Sequence, residues 1–454
     1  MQAIPILRAE RPDGQEHISR IKARLSLAPM LLSGLDAHGE SLTAQVQGII
    51  ADVRRAGDDA VVRYTRRFDY PEYTLEHLRV PQEQIDAAVN SADAKFLAAL
   101  DISIANVRRY QQAMLPPAPA AIRPLGSQSD AAMLAMRYEP LKRVGVYVPG
   151  GAGAYPSTVV MTVVPAQVAG VESICIASPM RGGKVAPAVL AAAARLGVRE
   201  VYAMGGPQAV AAMAFGTQAV TAVDKIVGPG NSYVQMAKKE LFGIVDIDSF
   251  AGPSEVIVLA DDSADAGVVA AELLAQAEHA PGSCLLITPS LNLAQNVELE
   301  LESQLAFLPR RELTTKALQY ASALIVTTDM DSATKLVNDF APEHLQITTR
   351  QARSDAAKIH HAGAIFIGAY TPVAAGDYLA GPSHVLPTSG TGRFFSGLSA
   401  ESFRKRISIV ELDTGALQTV GGAICDFART EGFDAHARAV EARLKQKGPD
   451  YGVG

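Results

Sequence analysis

From residue 143 onward, apolar runs of strand length alternate with longer stretches in which apolar residues return every three or four positions. The first series predicts strands at 144–148, 173–177, 200–203 and 225–228, with helices at 157–169, 185–196, 208–215 and 231–241. A second series predicts strands at 255–260, 284–288, 324–327 and 364–367, with helices at 264–279 and 291–304. Most of these strands run into a glycine-rich turn, as parallel βαβ units often do. The order implies an α/β class of two open, twisted parallel-sheet lobes, with ligands expected in crevices at strand carboxyl ends.

The flanks read differently. Residues 1–117 are mostly helical in pattern: Val46, Ile49, Ile50 and Val53 recur at helical spacing, as do Phe96, Leu97, Leu100, Ile104, Val107 and Met114. Pro116-Pro117 ends that helix and marks a boundary. After Phe394 the pattern predicts a strand at 407–412 and helices at 414–430 and 434–447, a tail long enough to pack on another subunit.

At 454 residues the chain should divide into two to four domains of about 150 residues each. Hydrophobic residues make up 48%, enough for sizeable cores, and the net charge of -6 leaves no basic footprint for nucleic acid. The three cysteines, Cys175, Cys284 and Cys425, are far apart, and the first two sit in apolar runs. They read as small core residues in a reducing compartment, so any zinc site must use nitrogen and oxygen ligands. The N-terminus lacks an apolar signal core, and the apolar stretch 185–198 is broken by Arg195 and too short for a bilayer. The expectation is a soluble, cytoplasmic protein.

Against that background, Glu343-His344 in Ala341-Pro-Glu-His-Leu345 stands out. A carboxylate and an imidazole are the groups best suited to proton transfer near neutral pH. Neighbouring side chains diverge on a helix or strand, so one could prepare a water while the other takes a substrate proton. A Glu-His dipeptide by itself is usually an ordinary exposed pair. This one gains weight from Gln276, His279, Asp377, His384 and His436 in the same two-fifths of the chain, which suggests a metal site with an acid–base apparatus.

Gln276 and His279 share one helix face, about 5–6 Å apart. Gln is an uncommon zinc ligand, and alone the pair favours an exposed or capping role. Asp377 and His436 would complete a shell of two nitrogens and two oxygens. His384 lies in the Gly/Pro-dense loop Gly381-Pro-Ser-His-Val-Leu-Pro387, where a single histidine points to function. The loop from Tyr147 to Ser157 joins a strand to a helix but does not fit G-x-G-x-x-G, because Gly151 and Gly153 are followed by Pro156. Its backbone amides could still hold a phosphate. Gly205-Gly-Pro-Gln208 and Gly228-Pro-Gly-Asn231 are further helix-opening turns, and each alone is only a turn. His17, His38 and His77 fall in polar segments and carry no chemistry in this reading.

Together these segments resemble the histidinol dehydrogenase family over essentially the whole chain. The resemblance rests on Val53-Arg-Arg-Ala-Gly-Asp-Asp-Ala-Val-Val-Arg-Tyr64, Val144-Gly-Val-Tyr-Val-Pro-Gly-Gly151 with Tyr155-Pro-Ser157, and Val223-Asp-Lys-Ile-Val-Gly-Pro-Gly-Asn231. Ala251-Gly-Pro-Ser-Glu-Val256, Gln276-Ala-Glu-His279, Ala341-Pro-Glu-His-Leu345 and Gly381-Pro-Ser-His-Val-Leu-Pro-Thr388 follow in order. The resemblance implies a zinc shell of Gln276, His279, Asp377 and His436, with Glu343 and His344 as the proton-transfer residues. It implies substrate contacts at Ser254, His384 and Glu431, shared with Gln276, His279, His344, Asp377 and His436, and NAD contacts at Tyr147, Gln208 and Asn231.

The fold so implied is two incomplete Rossmann-like lobes in a domain-swapped homodimer with a shared active site. The segments would be an N-terminal tail (1–24), a first part of lobe 1 (25–142), lobe 2 (143–254), a second part of lobe 1 (255–393) and a C-terminal tail domain (394–454). The implied reaction is the four-electron, NAD-dependent oxidation of L-histidinol to L-histidine through an aldehyde kept in the site. Two rivals remain: the same scaffold acting on another small alcohol, and a catalytically silent ligand-binding relative.

Overall fold

The computed structural model describes residues 4–27, 32, 34, 41–127, 132–150, 153–279 and 282–445. His38 and the Gly151 end of the glycine loop lie outside the described residues. The chain forms two compact units, Met1–Met114 with Leu141–Phe403, and Leu115–Pro140 with Arg404–Gly454.

In chain order the strands are β1 (Ile6–Arg8), β2 (Met133–Pro140), β3 (Arg143–Tyr147), β4 (Ser173–Ala177), β5 (Val201–Tyr202), β6 (Lys225–Val227) and β7 (Asp246–Ile247). They continue as β8 (Ser254–Ala260), β9 (Gly282–Thr288), β10 (Ala323–Val326), β11 (His344–Thr348), β12 (Ala364–Ile367) and β13 (Arg404–Glu411). The first unit holds two parallel sheets. One has the order β5-β4-β3-β6-β7, the other β1-β10-β9-β8-β11-β12. Counted along the chain, β3–β7 make the order 3-2-1-4-5, and β8–β12 repeat it with β1 added at the edge. That is the doubly wound dinucleotide-fold order short of its sixth strand.

Both faces of the six-stranded sheet are covered, which is why β8 is a continuous apolar run. Val256, Val258 and Ala260 point into one core with Leu273, Leu274 and Val297. The alternate residues Ile257 and Leu259 point into the other with Ala333 and Val337.

Two segment assignments differ from expectation. Residues 1–24 were expected as a tail, yet β1 pairs with β10, and the helix Pro12–Leu25 buries Ile18, Ile21 and Leu25 in the second core. Three residues are too short to register as a strand by pattern. The helices Leu42–Ala56, Asp58–Phe68, Gln82–Ser91 and Ala94–Met114, expected on the six-stranded lobe, pack instead on helices of the five-stranded lobe. Their apolar stripes fix that they pack, not on which sheet's helices.

The second unit pairs β2 antiparallel with β13 over their full lengths. Its helices Thr414–Thr430 and Asp434–Lys445 meet through Cys425, Ala428, Ala437 and Val440. Residues 115–140 thus join this unit, and the unit starts at Arg404 where 394 was expected. Among the described residues no helix is long and apolar enough to cross a membrane.

Candidate active site

Glu343 enters β11 from a tight turn. The helix Met330–Phe340 stops at Ala341, which takes the left-handed conformation at φ 50°, and Pro342 prevents the helix from resuming. Ala364 N–H donates to the Glu343 carbonyl at 2.9 Å, and a side chain at Gly363 would put its Cβ 2.6 Å from that same oxygen. The turn presents Glu343 and His344 at the amino ends of the strands. That is the opposite strand end from the carboxyl-end crevices expected to hold ligands. The helix Ala266–Ala277 follows β8 and runs back, so its last turn also reaches the amino ends.

Both side chains are buried, Glu343 at 7% and His344 at 4% exposure. Glu343 Oε2 accepts the Ser254 hydroxyl at 2.7 Å and the Glu255 N–H at 2.9 Å. Burial nevertheless pushes the carboxyl up to about 7, against the pull of those two donors. His344 Nδ1 lies 3.0 Å from the Glu255 carbonyl and 3.5 Å from Glu343 Oε2. A carbonyl only accepts, so Nδ1 carries the hydrogen and Nε2 carries the lone pair. Nε2 has no hydrogen-bond partner among the described residues and stands 3.7 Å from Asp377 Oδ1. Burial holds this imidazole below its ordinary pKa, with Asp377 opposing, so it is neutral at physiological pH.

Gln276, His279 and Asp377 line one cleft of about 630 Å³, with Glu272, Tyr155 and Arg310 among its other walls. Gln276 is buried, and its Nε2 has no partner among the described residues. Burial lowers the His279 pKa, and His344 adds to the effect. Burial pushes Asp377 up to about 6, although His344 pulls the other way. Glu272 accepts the Val373 N–H at 2.9 Å and so anchors the helix Val373–Tyr378 that carries Asp377. A carboxamide oxygen, an imidazole and a carboxyl group lining one cleft are donor types that a divalent cation with nitrogen and oxygen ligands accepts. Among the described residues, however, no group of three or more His, Cys, Asp or Glu side chains stands at ligating distance. The first unit supplies three members of the expected shell. His436 belongs to the second unit, in the first turn of the helix Asp434–Lys445, with its ring against Phe433. Glu431, at the end of the helix Thr414–Thr430, belongs there too.

His384 is tied at both ring nitrogens: Nδ1 is 3.0 Å from the Asp377 carbonyl and Nε2 is 3.4 Å from Thr158 Oγ1. Burial pushes its pKa down to about 4.

Tyr147, Gln208 and Asn231 line a second cleft, of about 1150 Å³, with Phe68 and Tyr233. It opens beyond Tyr147, the last residue of β3, where the strand order reverses between β3 and β6. The Tyr147 hydroxyl accepts the Gly206 N–H at 3.1 Å, and burial pushes the phenol up to about 12. Gln208 is fully buried, with neither amide atom partnered among the described residues. Asn231 caps the helix Ser232–Leu241 by accepting the Val234 N–H at 3.1 Å. Gly228 is held at φ 113°, and a Cβ there would sit 2.1 Å from the Tyr147 carbonyl. The glycine loop lines both clefts, Pro149 and Gly150 facing this one and Gly153, Ala154 and Tyr155 the other.

Sequence reasoning missed Glu255, Glu272 and Thr158. Each left a faint signal as a polar residue within an apolar stretch: Glu255 opens Val-Ile-Val-Leu-Ala260, and Glu272 precedes Leu273-Leu274.

With this geometry in hand, comparison with known proteins is specific. A histidinol dehydrogenase family model matches residues 35–444. The chain is 47% identical over 445 residues to a histidinol dehydrogenase of Rhodopirellula baltica, covering 95% of each chain. It is 45% identical over 418 residues to that of Bacillus subtilis, covering 92% of this chain and 96% of the relative. The crystal structure of histidinol dehydrogenase from Elizabethkingia anophelis superposes with a TM-score of 0.88 at 32% identity, covering 97% and 98% of the two chains.

Proposed function

The chain belongs to the histidinol dehydrogenase family, and from that premise we propose that it oxidises L-histidinol to L-histidine with two NAD, closing histidine biosynthesis. The observation that carries the reading is His344: its Nδ1 hydrogen is committed to the Glu255 carbonyl, while Nε2 keeps a free lone pair beside Asp377. A neutral imidazole in that tautomer is a proton acceptor at one defined atom.

As hydride leaves the carbinol carbon, His344 Nε2 takes the hydroxyl proton. The aldehyde then needs a water. Glu343, whose burial raises its basicity while Ser254 and Glu255 fix its orientation, takes a proton from that water as it attacks. A second hydride then leaves the hydrate as His344, its first proton released, takes a hydroxyl proton and the acid forms. Burial of both groups limits water near the reactive aldehyde.

Gln276, His279, Asp377 and His436 would hold zinc, whose positive charge would help orient the substrate. Ser254, His384 and Glu431 are the further substrate contacts in this reading, and Tyr147, Gln208 and Asn231 the NAD contacts. The glycine loop supports this, since Pro149 and Gly150 line the cleft of Tyr147, Gln208 and Asn231 while Gly153, Ala154 and Tyr155 line the cleft of Gln276, His279 and Asp377. Glu431 and His436 would come from a second copy of the chain, in a homodimer whose sites are shared.

The deciding measurement is NADH formed per histidinol consumed with zinc supplied. A ratio near two is expected. A ratio near one, or turnover only with another small alcohol, points to the same scaffold with a different substrate, and no turnover at all to a silent relative.

A further inference from the structure

We propose that Glu255, the second residue of β8, is the positioning residue of the acid–base pair, holding Glu343 and His344 in register with each other and with the loop that carries His384. The proposal rests on the reading of Glu343 as the base.

The main chain of Glu255 serves both members at once. Its N–H donates to Glu343 Oε2 at 2.9 Å, and its carbonyl accepts from His344 Nδ1 at 3.0 Å. One peptide position therefore sets the direction of the carboxylate and the tautomer of the imidazole. The side chain adds a second tie. The Glu255 carboxylate is buried, accepts the Ser389 N–H at 2.7 Å, and has the amides of Glu343 and Gly390 against it as well. Glu343 thus seats its carboxyl on the Glu255 amide, while Glu255 seats its own on the Ser389 amide, so the strand and the loop are tied in sequence through one residue.

The loop end of this tie is a backbone that needs holding. Ser389 takes φ 60°, one of two left-handed non-glycine residues among those described. The other, Ala341, lies two residues before Glu343. Such conformations persist where surrounding bonds over-determine them. Thr388 Oγ1 accepts the Gly252 N–H at 2.6 Å, so the loop of His384 is fastened to the start of β8 at two points.

A plain anchor for the loop would not require an acid. Burial and then the charge of Glu343 push the Glu255 carboxyl up to about 8, so a second carboxyl is costly at this place. The surrounding amides oppose that rise by favouring the ionised form, which has lone pairs for several donors, whereas a carboxamide must turn its NH₂ toward one of them. The arrangement makes sense where several backbone amides must be held by one side chain. The titratable and charged groups facing this cluster are the neutral His344, Asp377 at 3.7 Å from its Nε2, and Arg393, whose Nε lies 3.4 Å from the Gly390 carbonyl.

The test is steady-state kinetics of Glu255→Gln in the zinc-loaded full chain, with Glu343→Gln alongside. A misplacement of the base by a fraction of an ångström should lower kcat for aldehyde oxidation by about 10- to 100-fold. The KM values for histidinol and NAD should stay within about threefold, because neither binding surface loses a group. Glu255→Asp, which keeps the carboxyl on a shorter stem, should recover part of the lost kcat. An anchor with only a structural role would loosen His384 and raise the histidinol KM instead. The inference fails if Glu255→Gln leaves kcat within twofold or changes KM alone. If Glu255→Gln does not fold, Glu255→Asp decides alone by the same split: lowered kcat at constant KM supports positioning, and unchanged kcat overturns it. Should Glu343→Gln itself keep the aldehyde half-reaction, the reading of Glu343 has failed, a result distinguishable from the failure of Glu255.

Discussion

Glu343 and His344 meet the same residue, Glu255, at different atoms, and their proton affinities follow from burial acting on opposite charge types. Burial disfavours whichever form is charged, so it raises the carboxyl and lowers the imidazole. Glu343→Gln should therefore cut aldehyde oxidation by about 10²- to 10⁴-fold and alcohol oxidation far less, measured as separate half-reactions. Equal losses would refute the division of roles. His344→Asn should damage both steps. In the wild type the aldehyde step should gain rate as pH rises through about 7, as Glu343 sheds its proton. The stability effect has the opposite sign. A carboxyl raised in the folded state keeps a proton that the unfolded chain releases above about 4.3. Its stabilising share is complete below that pH and is lost as pH climbs through 7. Thermal melts should then show the advantage of Glu343→Gln over wild type growing from pH 5 to pH 8, and an advantage equal at both pH values would contradict this. The Glu343-His344 pair was legible in the sequence because two polar groups interrupt an apolar region. Glu255 was not, since a lone acid at the head of an apolar strand looks like an edge residue until its partners are in space.

At the scale of elements, strands with both faces buried were legible as unbroken apolar runs, as in β8 and β9. β11 was not, although it lies between β8 and β12. His344, Gln346 and Thr348 alternate with Leu345 and Ile347, a pattern that normally means one wet face, yet all five are buried. Site-bearing strands break the apolar rule because their polar residues have work inside. The two sheets share one strand order but use opposite ends: Tyr147 at the carboxyl end of β3, Glu343 at the amino end of β11. Two predictions belong here. Chelation should abolish turnover and leave the far-ultraviolet circular dichroism nearly intact, because the helices that carry Gln276 and Asp377, and lead into His279, rest on an apolar core complete without a metal. General unfolding on chelation would contradict it. Gly228→Ala should raise the KM for NAD by about tenfold or more and lower the melting temperature. Its Cβ would meet the Tyr147 carbonyl at 2.1 Å, in a conformation that side chains disfavour by about 1–3 kcal/mol. A normal KM would mean that the turn does not serve the cofactor.

For the whole molecule, the first unit holds Gln276, His279, Asp377, Glu343 and His344, while Glu431 and His436 fall in the second. Sequence order alone could separate these groups into lobes and a tail. It could not assign residues 115–140 to the tail, because β2 is recognisable as a strand only through its pairing with β13. The proposal of a shared site makes a quantitative prediction from symmetry. If each site takes Glu343 from one chain and His436 from the other, then Glu343→Gln and His436→Ala, each inactive alone, should complement when unfolded together and refolded. Random pairing makes half of the dimers mixed, each with one intact site of two, so activity should return to about a quarter of wild type. If every chain supplies its own His436, each site in the mixture carries one defect and no activity returns. That outcome would reject exchange between subunits while leaving the assignment of His436 as a ligand untouched. The two ideas rest on different grounds: ligation on the chemistry of the donor set, and exchange on which copy delivers it.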